Sequence, residues 1–507
     1  MQLPRIRLRS IGSKYPSLLL LIAAFIAIIS GTRYSLIDDA YISFRYAYQL
    51  SHHGVLVFNL GERVEGITNL LWTVLLAIAN RLFNFPIEQV ALLLSLVFLF
   101  AASLRLWQLG PMLGSTHLAG SLAAILLLTS IEFLTSATNG LEISLYTYLL
   151  AEIIYSLCGK HLKRAYVFAG LLFMTRPESL FFGLLIIGLD YYKDRSIRKI
   201  GVGIGILGSF VVIVSLYRYI MYGSLLPNSI IAKSFPASLY PGLLVPILRY
   251  VIGFVQANAY FIILAIGGIF TLSRIRSLTI KSMDILLFCL GGILFSFIVM
   301  ARNGGDWMGN HRLLVQYGIL YSVLLIVLVG NNELSLIFAA AFVTLPFLQT
   351  TDIFMNYRPE FVPKYQENSN TYVEVTRRLT PVLNKTDVIS AEAIGYISYQ
   401  LIDNPFIDPL GLTNTYFARY GDPRITYGKS DFQYLVATLQ PSVLIWHYPG
   451  HLKWVDPVSL SKYDDYCLGS CDNWNGFLVM IRRDRVNDLA PAFSDWKKID
   501  INADWKR

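Results

Sequence analysis

The chain is 507 residues long, 55% hydrophobic and only 15% charged, with a mean hydropathy of +0.52. That balance leaves too little polar surface to cover a soluble core, which excludes an ordinary soluble enzyme and points to a membrane protein. The formal charge of +9 does not call for nucleic acid, because the basic residues sit in short loops between apolar runs, where the positive-inside bias accounts for them.

In chain order, Arg5, Arg7, Arg9 and Lys14 precede the run 16–30, and no acidic residue occurs before Asp38. This predicts a cytoplasmic N-terminus, an uncleaved membrane anchor and a first loop, 32–66, on the outer side. Apolar segments begin near 16, 67, 88, 117, 140, 165, 198, 243, 283, 313 and 333, about eleven to twelve spans by length. The segment from 165 is interrupted by Thr175-Arg-Pro-Glu, so it reads either as one broken span or as two short helices meeting at the outer surface. With eleven spans, Lys160–Arg164 would face outward against the charge bias; with twelve, the parity of the earlier segments shifts by one.

After about residue 350 the composition turns polar. The expected organisation is therefore a membrane module over 1–350 and an extracytoplasmic α/β domain over 351–507. Its predicted elements are an amphipathic helix over 370–384, with Tyr372, Val375, Leu379 and Val382 on one face, and buried strands at 387–390, 441–446 and 476–481. Cys158 and Cys289 lie in apolar runs and read as buried small hydrophobes, whereas Cys467 and Cys471 have the spacing of a short-loop disulfide and no nearby His ligands that would favour zinc.

Three outer-loop constellations carry chemistry. Asp38 and Asp39 open a stretch in which Tyr41, Phe44 and Tyr48 follow at i, i+3 and i+7, describing a helix that would hold two carboxylates at headgroup depth. The plainer reading is an acidic N-cap, with Asp39 capping. The segment Arg302-Asn-Gly-Gly-Asp-Trp-Met-Gly-Asn-His-Arg312 offers Arg302, His311 and Arg312 to an anion, with a tight polar turn as the plainer alternative. Lys233 follows Leu226-Pro-Asn-Ser as a phosphate ligand or a snorkelling cation. Glu142 and Arg176 are embedded in apolar sequence, as functional groups or as an ion pair. Trp307 can stack on a sugar, and most other Trp and Tyr side chains read as interfacial anchors. No nucleotide-type phosphate loop, HExxH or GxSxG occurs.

Taken in order, Asp38-Asp-Ala-Tyr-Ile-Ser-Phe-Arg-Tyr, Phe58-Asn-Leu-Gly-Glu-Arg-Val-Glu-Gly, Asn139-Gly-Leu-Glu, Thr175-Arg-Pro-Glu, Leu226-Pro-Asn-Ser, Gly304-Gly-Asp-Trp-Met, Gly395-Tyr-Ile-Ser-Tyr and Ile407-Asp-Pro-Leu-Gly-Leu-Thr span most of the chain. Together they resemble the GT-C membrane glycosyltransferases that use polyprenyl-phosphate sugars, closest in flavour to the terminal arabinofuranosyltransferase branch. The resemblance implies a multi-pass protein of the inner (plasma) membrane, with a helical bundle and an outer C-terminal domain. It further implies inverting transfer of a sugar to an envelope glycan, lipid or protein acceptor, with Asp38 and Asp39 as base and partner. Arg45, Lys233, Arg302, His311 and Arg312 become donor-phosphate contacts, and Glu142, Arg176, Asp306 and Trp307 substrate contacts. A divalent metal, if one is used, would fall to Asp38 and Asp39, a thin ligand set. Asn139 and His311 depart from the group's familiar pattern, so the donor sugar is not carried over. The competing classes are a transporter or flippase of a lipid-linked glycan, for which related halves would be expected, and a non-catalytic scaffold.

Overall fold

A computed structural model describes residues 14–31, 36–234, 244–257, 280–303, 311–329, 362–422, 429–447, 449–468 and 477–504. The apolar run near the N-terminus forms helix α1 (Lys14–Gly31), and the sequence DDAYISFRYAYQLSHH forms α2 (Asp38–His53), which stops where Gly54 turns left-handed. Then come α3 (Leu70–Phe83), α4 (Ile87–Met112), α5 (His117–Thr129) and α6 (Ile131–Thr138), followed by α7 (Ile143–Cys158), α8 (Leu162–Thr175), α9 (Leu180–Asp194) and α10 (Ile197–Tyr222). Beyond these lie the short α11 (Asn228–Ala232), α12 (Leu244–Ala257), α13 (Ile280–Arg302), the one-turn α14 (Arg312–Val315) and α15 (Gly318–Val329). The protein is thus a polytopic helical membrane protein. Among the described residues four helices are long and apolar enough to cross a membrane, or five if the pair α5 and α6, bent by 74°, is one span.

Two ends of this bundle are defined by side-chain contacts. At one end, Trp107 of α4 donates to Ser17 Oγ of α1 at 3.1 Å, Ser121 of α5 donates to the Ser17 carbonyl, and Glu152 of α7 pairs with Arg105 and Arg164 at 2.6 and 2.7 Å. Lys193 of α9 meets Asp284 of α13 there as well. At the other end lie Asp38, the α7 start, the α8–α9 break and the α13 finish. Lys14, Lys160, Lys163, Arg164, Lys193, Arg195 and Arg198 all fall at or beside the first end.

This arrangement resolves the parity. The apolar segment near 67, expected to cross, instead forms α3, whose two ends stay on the Asp38 side. Asn69, just before it, accepts from Ser43 of α2 at 3.1 Å, and Glu88, just after it, accepts from Tyr399 at 3.2 Å. Leu50 and His52 of α2 line one shallow groove with Ala77 and Arg81 of α3, so the two helices lie side by side. With α3 removed from the count, Lys160–Arg164 falls at the basic end, in accord with the charge bias. Thr175-Arg-Pro-Glu is the two-helix alternative, ending α8 and starting α9 at the Asp38 end.

The last part forms a six-stranded sheet in the order β2-β1-β3-β5-β4-β6, built from β1 (Ile389–Ala391), β2 (Phe406–Ile407), β3 (Val443–Trp446), β4 (Tyr463–Leu468), β5 (Phe477–Arg482) and β6 (Lys497–Ile499). β1 is parallel to β2 and β3, and the other pairs are antiparallel. β3 reads VLIW because both its faces are covered. Val443 and Ile445 join a core with Val375 and Leu379 of α16 (Val362–Leu379), and Leu444 and Trp446 join another with Phe417, Phe432 and Leu452. The predicted helix over 370–384 begins earlier and ends at Leu379, ahead of Pro381, so Val382 lies beyond it. The three predicted strands appear within two residues of their expected bounds. β4 went unrecognised because its Asp464 and Asp465 break the apolar pattern, Asp465 being buried.

Candidate functional site

Two adjacent aspartates open α2, and about 100° of helical rotation sends them to different neighbours. Asp38 shares a face with Tyr41 and Arg45, and this face receives the sheet domain. Its Oδ1 accepts the Tyr396 N–H at 2.7 Å and its Oδ2 the Gly395 N–H at 3.0 Å. Tyr396 begins the short helix α17 (Tyr396–Gln400). Tyr41 packs edge-on against Tyr396, with ring centroids 5.1 Å apart. Burial pushes the Asp38 carboxyl up to about 6; the Tyr396 N–H opposes this, the Asp39 charge adds to it, and the Gly395 N–H opposes it again. The N-cap of α2 is Ile37, without a side-chain cap bond, so neither aspartate caps its own helix.

Asp39 shares its face with Ser43 and looks into the membrane module. Its Oδ2 lies 3.5 Å from Arg312 Nη1. Next to it, Ser43 and Thr73 donate to Asn69 Oδ1, and Asn69 Nδ2 donates to Glu142 at 2.8 Å. Glu142 pairs with Arg176 at 2.6 Å, and Arg176 reaches Glu178 at 3.4 Å. The Asn139-Gly-Leu-Glu turn fits against α2 because Gly140 adopts φ +94, and a Cβ there would sit 2.8 Å from the Ala40 side chain. The site is therefore a strip of alternating charge: Asp39, Arg312, Glu142, Arg176 and Glu178.

The cations expected at a donor phosphate separate here. Arg312 faces Asp39, Arg302 is exposed on the last turn of α13, and Lys233 is exposed at the end of α11. Arg45 is a correction. It is buried, 1% exposed, and its donors go to the carbonyls of Phe58, Ser398 and Asn404 and to Asn59 Oδ1, with the guanidinium over the Phe58 ring. A buried guanidinium with four of its five N–H donors so occupied ties α2 to the sheet domain and is not presented to a phosphate. His311 is a second correction: its Nδ1 lies 2.7 Å from Glu132, and its ring packs on Tyr250 and Phe254 and against Gly253 of α12. It anchors the turn that presents Arg312. Asp306 and Trp307 lie outside the described residues. Cys467 is disulfide-bonded, Cys471 lies outside the described residues, and Cys158 and Cys289 are buried thiols. No group of three or more His, Cys, Asp or Glu able to hold a metal occurs among the described residues.

Two other motifs are structural, one within the membrane module and one joining it to the sheet domain. Glu65, within the Phe58-to-Gly66 stretch, makes a buried bidentate pair with Arg218 of α10 at 2.8 and 3.2 Å. Asn228 of the Leu-Pro-Asn motif donates to the carbonyls of Gly411, Leu412 and Asn414. Arg218 is the one charged side chain between Lys199 and the end of the 26-residue α10, a signal in the sequence; its partner Glu65 had none.

Residues 356–501 match a family described as a domain of unknown function (DUF8728). A curated terminal β-(1→2)-arabinofuranosyltransferase of Corynebacterium glutamicum is 28% identical over 271 residues, 45% of this chain and 38% of that protein. The chain thus spans well under half the length of that relative. Among solved structures, apo ArnT from Cupriavidus metallidurans superposes with TM-score 0.54 at 11% identity, covering 91% of this chain and 97% of that one. The Archaeoglobus fulgidus oligosaccharyltransferase, in complex with zinc and sulfate, gives 0.53 at 12% identity, covering 91% and 73%. The structural likenesses show a GT-C-type fold.

Proposed function

We propose that this protein is a membrane glycosyltransferase that moves a sugar from a polyprenyl-phosphate donor to an envelope acceptor on the outer side of the membrane, with inversion at the anomeric carbon. The observation that carries the proposal is the pair of adjacent carboxylates split between two partners: Asp38 clasped by the sheet domain and Asp39 beside Arg312. A general base works best with a pKa near the operating pH, and Asp38, pushed up to about 6, is closer to that than an ordinary aspartate.

In the reaction, the acceptor oxygen attacks the anomeric carbon as its proton passes to Asp38. The bond from that carbon to the phosphate oxygen breaks, and the polyprenyl phosphate leaves with the electron pair. Arg312 stabilises the charge that develops on the phosphate. No strong general acid is needed, because the leaving oxygen belongs to a phosphate. Asp39 holds Arg312 in place, and the Glu142–Arg176 pair sits one step further along the same strip. A pentofuranose is the sugar favoured by the curated relative's name.

The proposed topology rests on charge. The end bearing Lys14, Lys160, Lys163, Arg164, Lys193 and Arg198 is cytoplasmic by the positive-inside bias, which places Asp38 and the sheet domain outside. The membrane module ends and the sheet domain begins near residue 350. The direct test is mass spectrometry of lipids and envelope glycans from a deletion strain: an accumulated polyprenyl-phosphate sugar together with a glycan lacking a terminal residue supports the proposal, and unchanged lipids and glycans refute it.

A further inference from the structure

We infer that Gly395, with the N–H groups of Gly395 and Tyr396, is a positioning residue for the Asp38 carboxylate, which makes the sheet domain part of the catalytic site. The inference rests on the reading of Asp38 as the base.

The argument starts from the glycine. Gly395 has φ −75 and ψ −76, a conformation that needs no glycine on account of φ. A Cβ at this position would nevertheless lie 1.8 Å from the main-chain oxygen of Asp38 and 3.0 Å from its Cγ. Contact with Asp38, rather than backbone conformation, therefore forbids a side chain. Consecutive N–H groups from residues 395 and 396 each take one carboxylate oxygen, at 3.0 and 2.7 Å. Two donors on two oxygens fix the plane of the carboxylate, and each oxygen retains a lone pair for a proton.

The clasp is also more than docking requires. The same two bodies are already joined by the Arg45 hydrogen bonds to the Ser398 and Asn404 carbonyls, by Asn59 to both the N–H and the carbonyl of Phe406, and by Asn228 to three carbonyls. Those ties use amides and a guanidinium. At Asp38, as at Glu88 beneath the Tyr399 hydroxyl, a half-buried carboxylate enters the interface, and at Asp38 two backbone donors favour the charged form that a base must adopt.

The test titrates Asp38 in the full-length detergent-solubilised protein by its infrared carboxyl band, taking the wild-type minus Asp38→Asn difference. The wild type is expected to have a midpoint near 6. In Gly395→Ala, which prises the amides away, the midpoint should move upward by about one pH unit, since donors to the charged form are lost. Replacing the Gly395–Tyr396 amide by an ester, with the α-hydroxy analogue of tyrosine at position 396, serves as the second variant: it deletes the Tyr396 donor, keeps the ring on Tyr41 and adds no atom against Asp38. Asn228→Ala loosens the same interface elsewhere and should leave the midpoint in place, which separates positioning from general loosening. A wild-type midpoint in folded Gly395→Ala or in the folded ester variant would overturn the inference. No substrate enters this titration, so it is distinct from the base assignment, which falls if a deletion strain carrying Asp38→Asn regains its full envelope glycan.

Discussion

Arg312 Nη1 lies 3.5 Å from Asp39 Oδ2, joining residues 273 positions apart in the chain and setting a cation beside the paired carboxylates. Removing it should weaken catalysis more than folding. Arg312→Ala is expected to lower transfer by about 100-fold or more, the usual loss of one group stabilising a developing anion. Arg312→Lys should recover part of that, because the charge returns without the planar fork. Label transfer from a polyprenyl-phosphate sugar in membranes carrying each variant checks the order wild type, Lys, Ala.

Activity should depend on pH through Asp38. Only the ionised carboxylate accepts a proton, so transfer should be near its plateau above about 7 and fall about tenfold per pH unit below about 6. An ordinary aspartate would place that fall near 4. A pH–rate profile of the membrane-bound protein distinguishes the two.

Glu65 and Arg218 form a buried pair, with side chains 2% and 5% exposed. Arg218→Met leaves Glu65 charged and without its cation, which should cost about 3–5 kcal/mol. Combining it with Glu65→Gln removes the stranded charge and should regain much of the loss. Thermal unfolding in detergent, read as the difference between single and double variants, measures the coupling.

Topology is tested with single cysteines. Arg63→Cys, in the loop proposed to lie outside, should react with a membrane-impermeant maleimide in intact cells. Lys160→Cys, at the basic end, should react only after permeabilisation. Reaction of both in intact cells would contradict the assignment of α3 to the surface.

Much of this architecture is legible in the sequence because hydrophobic length and charge bias act locally. The Asp38-Asp39 pair opening an amphipathic helix, the break at Arg176-Pro-Glu and the three strongest strands could all be read directly. The misreadings have one cause, that sequence does not show what a side chain meets. The run at 67 is as apolar as a span, yet it lies along α2 because Asn69 and Glu88 are both held at the Asp38 side. Arg45 and His311 look like phosphate ligands until their donors are found on Ser398, Asn404 and Glu132. Asp38 itself pairs with backbone groups 357 and 358 residues away, which no local pattern encodes.

The most direct measurement compares a deletion strain complemented with the wild type and with Asp38→Asn, which keeps an acceptor for the Gly395 or Tyr396 N–H but cannot take a proton. With the variant expressed at wild-type level, mass spectrometry should show polyprenyl-phosphate sugar accumulating and the envelope glycan still lacking its terminal residue. Restoration of the complete glycan by Asp38→Asn would contradict the assignment of Asp38 as the base.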